Sequence, residues 1–184
     1  LFHTNGGMNR EPMLALLEHM DAVTVDLKAF TEAFYRRISS SRLAPVLRTL
    51  ETIRAADVHL EIVNLVIPTL NDDREGIKEM CVWIRDNLGE DTPLHFIRFF
   101  PACKLTVLPP TPIETLSDSR DIAMGVGLKY VYVGNAPGHE ANSMFCPACG
   151  EPLIVRFHFF VLKNQIEEGR CSFCGLEIPG IWGD

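Results

Sequence analysis

Along residues 1–140 the apolar positions alternate between a period near two and a period near 3.6. Asp21-Ala22-Val23-Thr24-Val25-Asp26-Leu27-Lys28 reads as a strand, rich in β-branched residues and polar at its far end. Leu43, Val46, Leu47, Leu50 and Ile53 then fall at three- and four-residue spacing, which predicts a helix. Val58 to Ile67 is the next strand, dense in Val, Ile and Leu as in a sheet covered on both faces, and Pro68 closes it. From Asp72 to Leu88 the stripe Ile77, Met80, Cys81, Ile84 and Leu88 predicts a helix, with acids in its first turn and Gly89 past its end. Pro93 to Phe99 is a third strand. Thr111-Pro112-Ile113-Glu114 has the form of a capping box with proline at the first helical position, so a helix should run from there toward Gly125. Tyr130 to Val133 is a fourth short strand, ended by Gly134-Asn135.

Strands separated by helices imply right-handed βαβ units and a parallel sheet, open or closed into a barrel. In such sheets chemistry gathers at the carboxyl ends of strands. Those ends read Thr4-Asn5-Gly6, Asp26-Leu27-Lys28, Ile67-Pro68-Thr69 and Arg98-Phe99-Phe100-Pro101. Alternation puts Thr24, Asp26 and Lys28 on one face and Val23, Val25 and Leu27 on the other. The apolar face belongs under helices, which leaves the polar one to look into a barrel. Glu61 shares a face with Val63 and Leu65, where an acid is costly without a partner, and Lys28 on the neighbouring strand is the natural one. Asp26 and Lys28 could equally form an ordinary ion pair. His95 and Arg98 have opposite parity, so one of them faces inward; a satisfied core histidine is the plain reading of His95. Cys81 lies on an apolar stripe and belongs to the core, and Cys103 has no base beside it to make it a nucleophile. Asn5-Gly6-Gly7 lacks the spacing of a phosphate loop.

After Gly138 the character changes. Leu153-Ile154-Val155-Arg156-Phe157 and Phe159-Phe160-Val161-Leu162 are short aromatic β-runs, in a segment too small to bury much surface without a staple. Cys146-Pro147-Ala148-Cys149-Gly150 and Cys171-Ser172-Phe173-Cys174-Gly175 supply one. The x-x spacing turns two thiolates toward one cation, and the glycine permits the turn. Four thiolates close a tetrahedral site, so the expected role is structural, with zinc favoured on availability and rubredoxin-type iron as the alternative. The chain divides into residues 1–140, an α/β barrel part, and residues 141–184, a small β-rich zinc-ribbon-like tail.

The formal net charge is −7. This balance argues against sequence-independent nucleic-acid binding and against docking on anionic membranes. No apolar run approaches the roughly 20 residues of a membrane helix, and no secretory signal is visible, so a cytoplasmic location is expected. The chain begins at Leu1 without a methionine and reads as a possible fragment.

Thr4-Asn5-Gly6, Asp26-Leu27-Lys28, and Val66-Ile67-Pro68 with Asn71-Asp72-Asp73 resemble the later strands of radical S-adenosylmethionine enzymes of the pyruvate formate-lyase activating type. Further runs resemble the AmmeMemoRadiSam subfamily: Pro93-Leu94-His95-Phe96, Pro109-Pro110-Thr111-Pro112-Ile113-Glu114-Thr115-Leu116, and Gly127-Leu128-Lys129-Tyr130-Val131-Tyr132-Val133-Gly134-Asn135. The tail, with Gly175, Ile178, Pro179, Gly180 and Trp182, is similar too.

The resemblance implies a partial (β/α)6 barrel that holds a [4Fe-4S] cluster and S-adenosylmethionine, cleaved reductively to a 5′-deoxyadenosyl radical. It implies that Thr4, Asn5, Asp26 and Lys28 line the cofactor site, with Lys28 on the cofactor's carboxylate or ribose. It also implies a protein substrate of the glycyl-radical type. There are departures. His3 stands where those enzymes carry an acid, and Cys103 falls near the place of their adenine-contacting histidine. The cluster motif Cys-x-x-x-Cys-x-x-Cys is absent from these residues, so the parent is expected to be a radical enzyme and this chain alone inactive. Such a fragment is expected to self-associate through an uncovered strand edge at Leu1-Phe2. The competing reading is a non-catalytic zinc-ribbon module that binds a protein partner.

Overall fold

The structure is a computed structural model that describes residues 1–157 and 160–182. Five strands lie in chain order in one parallel sheet: β1 (Phe2–Thr4), β2 (Ala22–Asp26), β3 (His59–Val66), β4 (Leu94–Arg98) and β5 (Val131–Gly134). The helices α1 (Arg10–Leu17), α2 (Glu32–Arg37), α3 (Leu43–Ala55), α4 (Arg74–Leu88) and α5 (Ile113–Gly125) connect them. This is the expected α/β architecture. Both α1 and α2 were invisible to the periodicity: each is short, and α2 rests on a local signal, the Thr31 hydroxyl accepting from the Phe34 N–H.

In sequence along the sheet, α1 packs on α3, α3 on α4 and α4 on α5. They cover one face. Val23, Val25, Ile62, Leu94 and Phe96 on that face are fully buried. The opposite face, carrying Thr24, Asp26, Glu61, Val63, Leu65, His95 and Tyr132, is half-buried throughout. The apolar density of β3 predicts cover on both faces, and the described residues supply it on one. The other is the inner wall of an incomplete barrel.

Helix α4 shows why the boundary expectations were close. Asp73 caps it by accepting from the Gly76 N–H at 2.7 Å, and Gly89 takes φ +105° at its end. Asp72 instead accepts from the Thr69 N–H, one turn earlier in the loop. The capping box at Thr111 does not form. Pro112 is the N-cap, and the Thr111 hydroxyl is fully buried, donating to the Val66 carbonyl at 2.6 Å and accepting from the Phe99 N–H at 3.0 Å. It ties the carboxyl ends of β3 and β4 together. A buried strand-end amide outcompetes an exposed helix end for that oxygen.

Beyond a 3₁₀ turn (Glu140–Asn142), the short strands β6 (Met144–Phe145), β7 (Pro152–Phe157) and β8 (Phe160–Asn164) form an antiparallel sheet. β9 (Ile166–Glu167) and β10 (Arg170–Cys171) make a second small hairpin. Of the expected run Phe159–Leu162, Phe159 lies outside the described residues. The tail has its own core of Met144, Leu153, Ile154 and Ile178, and it recruits Tyr130 from the edge of β5. Trp182 packs against this cluster, while Phe160, Val161 and Leu162 of β8 stay exposed. No helix among the described residues is long and apolar enough to cross a membrane.

Candidate functional site

At the carboxyl ends of β1, β2 and β3 the inner face opens into a cavity of about 430 Å³. Asn5, Asp26 and Lys28, with Ser39 and Ser41, supply its polar lining, and Phe34, Tyr35 and Leu65 much of its apolar wall. The Asp26 carboxylate takes His3 Nε2 on one oxygen at 2.9 Å and Lys28 Nζ on the other at 3.6 Å. Both contacts are partly exposed and contribute little stability, so their significance is in holding the Asp26 carboxylate at the cavity mouth.

Lys28 is fixed through its backbone. Its N–H donates to the Tyr35 hydroxyl at 3.1 Å, and burial pushes that phenol up to about 12, so it stays a neutral partner. Its carbonyl accepts from Asn71 Nδ2 at 2.5 Å. Asn71 also donates to the Leu65 carbonyl at 2.9 Å and accepts from the Ile67 N–H at 2.6 Å. One amide therefore welds the ends of β2 and β3 and sets the Lys28 side chain on the cavity beside Asp26.

Thr4 and Asn5 diverge. Thr4 pairs in register with Val25, on the helix-covered face, and its hydroxyl accepts from the Gly6 N–H at 3.2 Å. It does not line the cavity. Asn5 does, with its Oδ1 accepting from the Gly7 N–H at 3.0 Å. Those two amides are committed to the turn, so this loop does not cradle a phosphate. Gly6 sits at φ +73°, where a Cβ would come within 2.9 Å of Val46 Cγ1.

Glu61 does not reach Lys28. The register sets Glu61 opposite Thr24, four residues and so about 13 Å short of Lys28 along the strand. Two histidines hold it instead: His59 Nε2 at 3.2 Å from one oxygen and His95 Nε2 at 3.1 Å from the other. Hydrogen bonds from His59 and then His95 keep the carboxyl well below its ordinary range, against the opposing effect of burial. The His95 ring stacks on Tyr132, centroids 4.8 Å apart. His59, two residues before Glu61, was legible by parity; Tyr132 and Tyr35 had no sequence signal. Arg98 turns away from the inner face, donating through Nε to the Thr111 carbonyl. Cys81 is buried, which pushes its thiol up to about 12, and Cys103 is exposed in its loop.

The four tail cysteines do converge. Cys146 Sγ lies 3.6 Å from Cys174 Sγ, Cys149 Sγ lies 3.8 Å from Cys171 Sγ, and all four sulfurs fall within 4.8 Å of one another. Tetrahedral ligation at about 2.3 Å puts sulfurs about 3.8 Å apart, so the donor set fits one ion. It does not fit a [4Fe-4S] cluster, whose ligand sulfurs sit on four separate irons. Each knuckle closes with a glycine N–H on the first cysteine's carbonyl: Gly150 on Cys146 at 2.9 Å, Gly175 on Cys171 at 2.8 Å. Burial opposes ionisation of Cys171, but the backbone amides of Cys174 and Phe173 together with the neighbouring Cys174 and Cys146 thiols outweigh it and bring the thiol to about 7. The Tyr130 hydroxyl is buried without a hydrogen-bond partner among the described residues, and that burial pushes it up to about 12.

No family model matches the chain. An uncharacterized protein of Methanocaldococcus jannaschii is 42% identical over 177 residues, covering 95% of this chain and 52% of that protein. The chain thus spans about half the length of this curated relative. Among solved structures, a domain of a pyruvate-formate lyase-activating enzyme from Bacteroides vulgatus matches with TM-score 0.61 at 15% identity, over 69% of this chain and 75% of that one. A radical SAM methyltransferase from Sphaerobacter thermophilus matches with TM-score 0.53 at 16% identity, over 82% of this chain and 43% of that one. At such identities the likeness is one of fold: the five-stranded parallel sheet and its helices resemble a radical SAM domain.

Proposed function

We propose that these residues are the carboxyl-terminal part of a radical S-adenosylmethionine enzyme of the pyruvate formate-lyase activating type, AmmeMemoRadiSam subfamily, with residues 141–184 as a zinc-holding tail. The observation that carries this reading is the cavity at the carboxyl ends of β1 to β3, lined by Asn5, Asp26 and Lys28, in a sheet with the radical SAM fold. A bound [4Fe-4S] cluster would supply the electron that splits S-adenosylmethionine into methionine and a 5′-deoxyadenosyl radical.

These residues offer no ligands to that cluster, since the four paired cysteines fit one ion. In this reading the cluster thiolates belong to another part of the parent protein, and the chain alone is inactive. Its own contribution is binding. Lys28 presents an ammonium to the cofactor's carboxylate or ribose, Asp26 and Asn5 set the polarity around it, and Thr4 shapes the turn. Tyr35 and Asn71 hold Lys28 in place. The glycyl-radical protein substrate and the cytoplasmic location come with the same reading. One observation favours a non-catalytic interaction module instead: the exposed apolar β8, with Phe160 and Leu162 open to solvent.

The experiment compares the full-length parent with this chain after reconstitution with iron and sulfide. The parent should form 5′-deoxyadenosine, and Lys28→Ala should weaken cofactor binding while leaving the tail metal unchanged. Elemental analysis should find one zinc per chain, lost in Cys149→Ser together with the native Trp182 fluorescence. If the chain alone makes 5′-deoxyadenosine, or the tail metal is iron, the assignment of the four cysteines is overturned.

A further inference from the structure

Between the inner face of the sheet and the tail lies a second cavity of about 430 Å³. Its wall is the stacked pair His95 and Tyr132, Glu61 stands at one side, and Arg156 enters from β7 together with Asn135 and Asn142. The Arg156 side chain takes no part in the cavity at Lys28.

Three features single it out. Its guanidinium has no ion pair or hydrogen bond among the described residues. The other arginines in that position, Arg10, Arg37, Arg42, Arg48 and Arg54, are all exposed, whereas Arg156 is half-buried against the cavity. An unpaired guanidinium withdrawn from water is costly unless a ligand completes it. Second, the β7–β8 ladder shifts register between Val155 and Arg156, and such bulges re-aim a side chain. Third, the Arg156 N–H is anchored on Ser143 Oγ at 3.0 Å, which locks the bulge to the segment just after the 3₁₀ turn. Its positive charge also reaches the Tyr132 hydroxyl, opposing the upward push of burial there.

We propose that this cavity binds a small organic acid, its carboxylate or phosphate seated on Arg156 and a hydrogen-bond donor of the ligand turned toward Glu61. The arginine fork matches a two-oxygen anion. Glu61 keeps its charge under the two histidines and retains lone pairs for a donor, so the two ends of the cavity have opposite polarity. The volume is in the range of small-molecule sites. Ile97 lines both cavities, so a ligand here would lie beside the one at Lys28. A part for this ligand in the radical chemistry rests on the cofactor reading; the anion site itself does not.

The test uses the chain labelled with ¹⁵N-arginine and follows the guanidinium Nε–Hε signals by NMR, with no S-adenosylmethionine present. Inorganic phosphate and 4-aminobutyrate are titrated separately, with sodium chloride at matched ionic strength as the control. The Arg156 signal, identified by its disappearance in Arg156→Gln, should move and saturate at millimolar concentration with one of the two probes, and the His95 ring signals should move with it. Saturation by phosphate or by the carboxylate names the acid class. Arg156→Lys should weaken binding about tenfold, because it keeps the charge but loses the fork, and Arg156→Gln should abolish it. Native Trp182 fluorescence in both variants verifies that the tail is folded. The proposal is overturned if the Arg156 signal moves only as it does in chloride, if neither probe saturates, or if His95 still titrates with the probe in Arg156→Gln. Each result stands whether or not the Lys28 cavity binds S-adenosylmethionine.

Discussion

Replacing Asn71 by alanine removes a single side chain but three hydrogen bonds, all at the junction that positions Lys28. Asn71 is 8% exposed, so the groups it leaves behind, the Ile67 N–H and the carbonyls of Lys28 and Leu65, have little water to turn to. At about 1 kcal/mol for each net hydrogen bond, Asn71→Ala should cost about 3 kcal/mol, and more if the Ile67 N–H stays stranded. For a chain of this size that lowers Tm by roughly 10 °C. Asn71→Asp is the sharper variant. It keeps the acceptor for the Ile67 N–H but replaces two donors by a carboxylate facing two carbonyl oxygens, so it should be no milder than alanine. The chain has two tryptophans, Trp83 on α4 and Trp182 in the tail. In a Trp182→Phe background, urea unfolding followed by Trp83 fluorescence reports the sheet and its helices alone, because Trp83 packs on the main core and lies 6.1 Å from Phe30. A loss below about 1 kcal/mol in Asn71→Ala, or an aspartate variant more stable than the alanine one, would refute the weld.

Two further perturbations test other parts of the inner face. Glu61 titrates below its ordinary value of 4.5 in the folded chain, so its ionised form stabilises the fold above that pH, and the contribution is lost as pH falls through the folded value. Glu61→Gln should therefore flatten the acid limb of the stability curve between about pH 5 and 3, measured by urea midpoints. Gly6→Ala forces a side chain into a left-handed backbone against Val46 and Val25 and should cost about 1–3 kcal/mol, read as a lower urea midpoint at constant slope.

Which parts of this fold were legible follows from the range of the interactions that set them. Helix α4 could be read from its stripe, its acidic start and Gly89, since every determinant lies within a turn or two of the next. Its cap fell on Asp73 rather than Asp72 because both are good acceptors and only the loop conformation decides which amide each receives. Thr111 shows the limit of that logic. Its local context is a capping box, yet its hydroxyl belongs to a bond with Val66, 45 residues away. Strand β3 misled in a different way: its apolar residues fill both faces, although the described residues cover one.

The same distinction separates the sites. The thiolate cluster was visible because each knuckle is a local turn that pre-aligns two sulfurs, so only one long-range pairing, between the Cys146 and Cys171 knuckles, had to be guessed. The partners of Glu61 depended on the register between β2 and β3. A difference of four residues separates the expected ion pair with Lys28 from the observed clamp by His59 and His95. Arg156 needed still more, because its aim rests on a bulge, on the Ser143 anchor and on a tail folded against β5. This ordering has a physical consequence for the molecule. The Lys28 cavity is built within the sheet and its own loops, whereas the Arg156 cavity exists only while the tail is docked, and under the proposed reading the tail's small core holds only with an ion on its four cysteines. Chelation should then remove anion binding at Arg156 and leave the Asn71 weld and the Trp83 signal intact, which makes the two cavities separable by a single reagent.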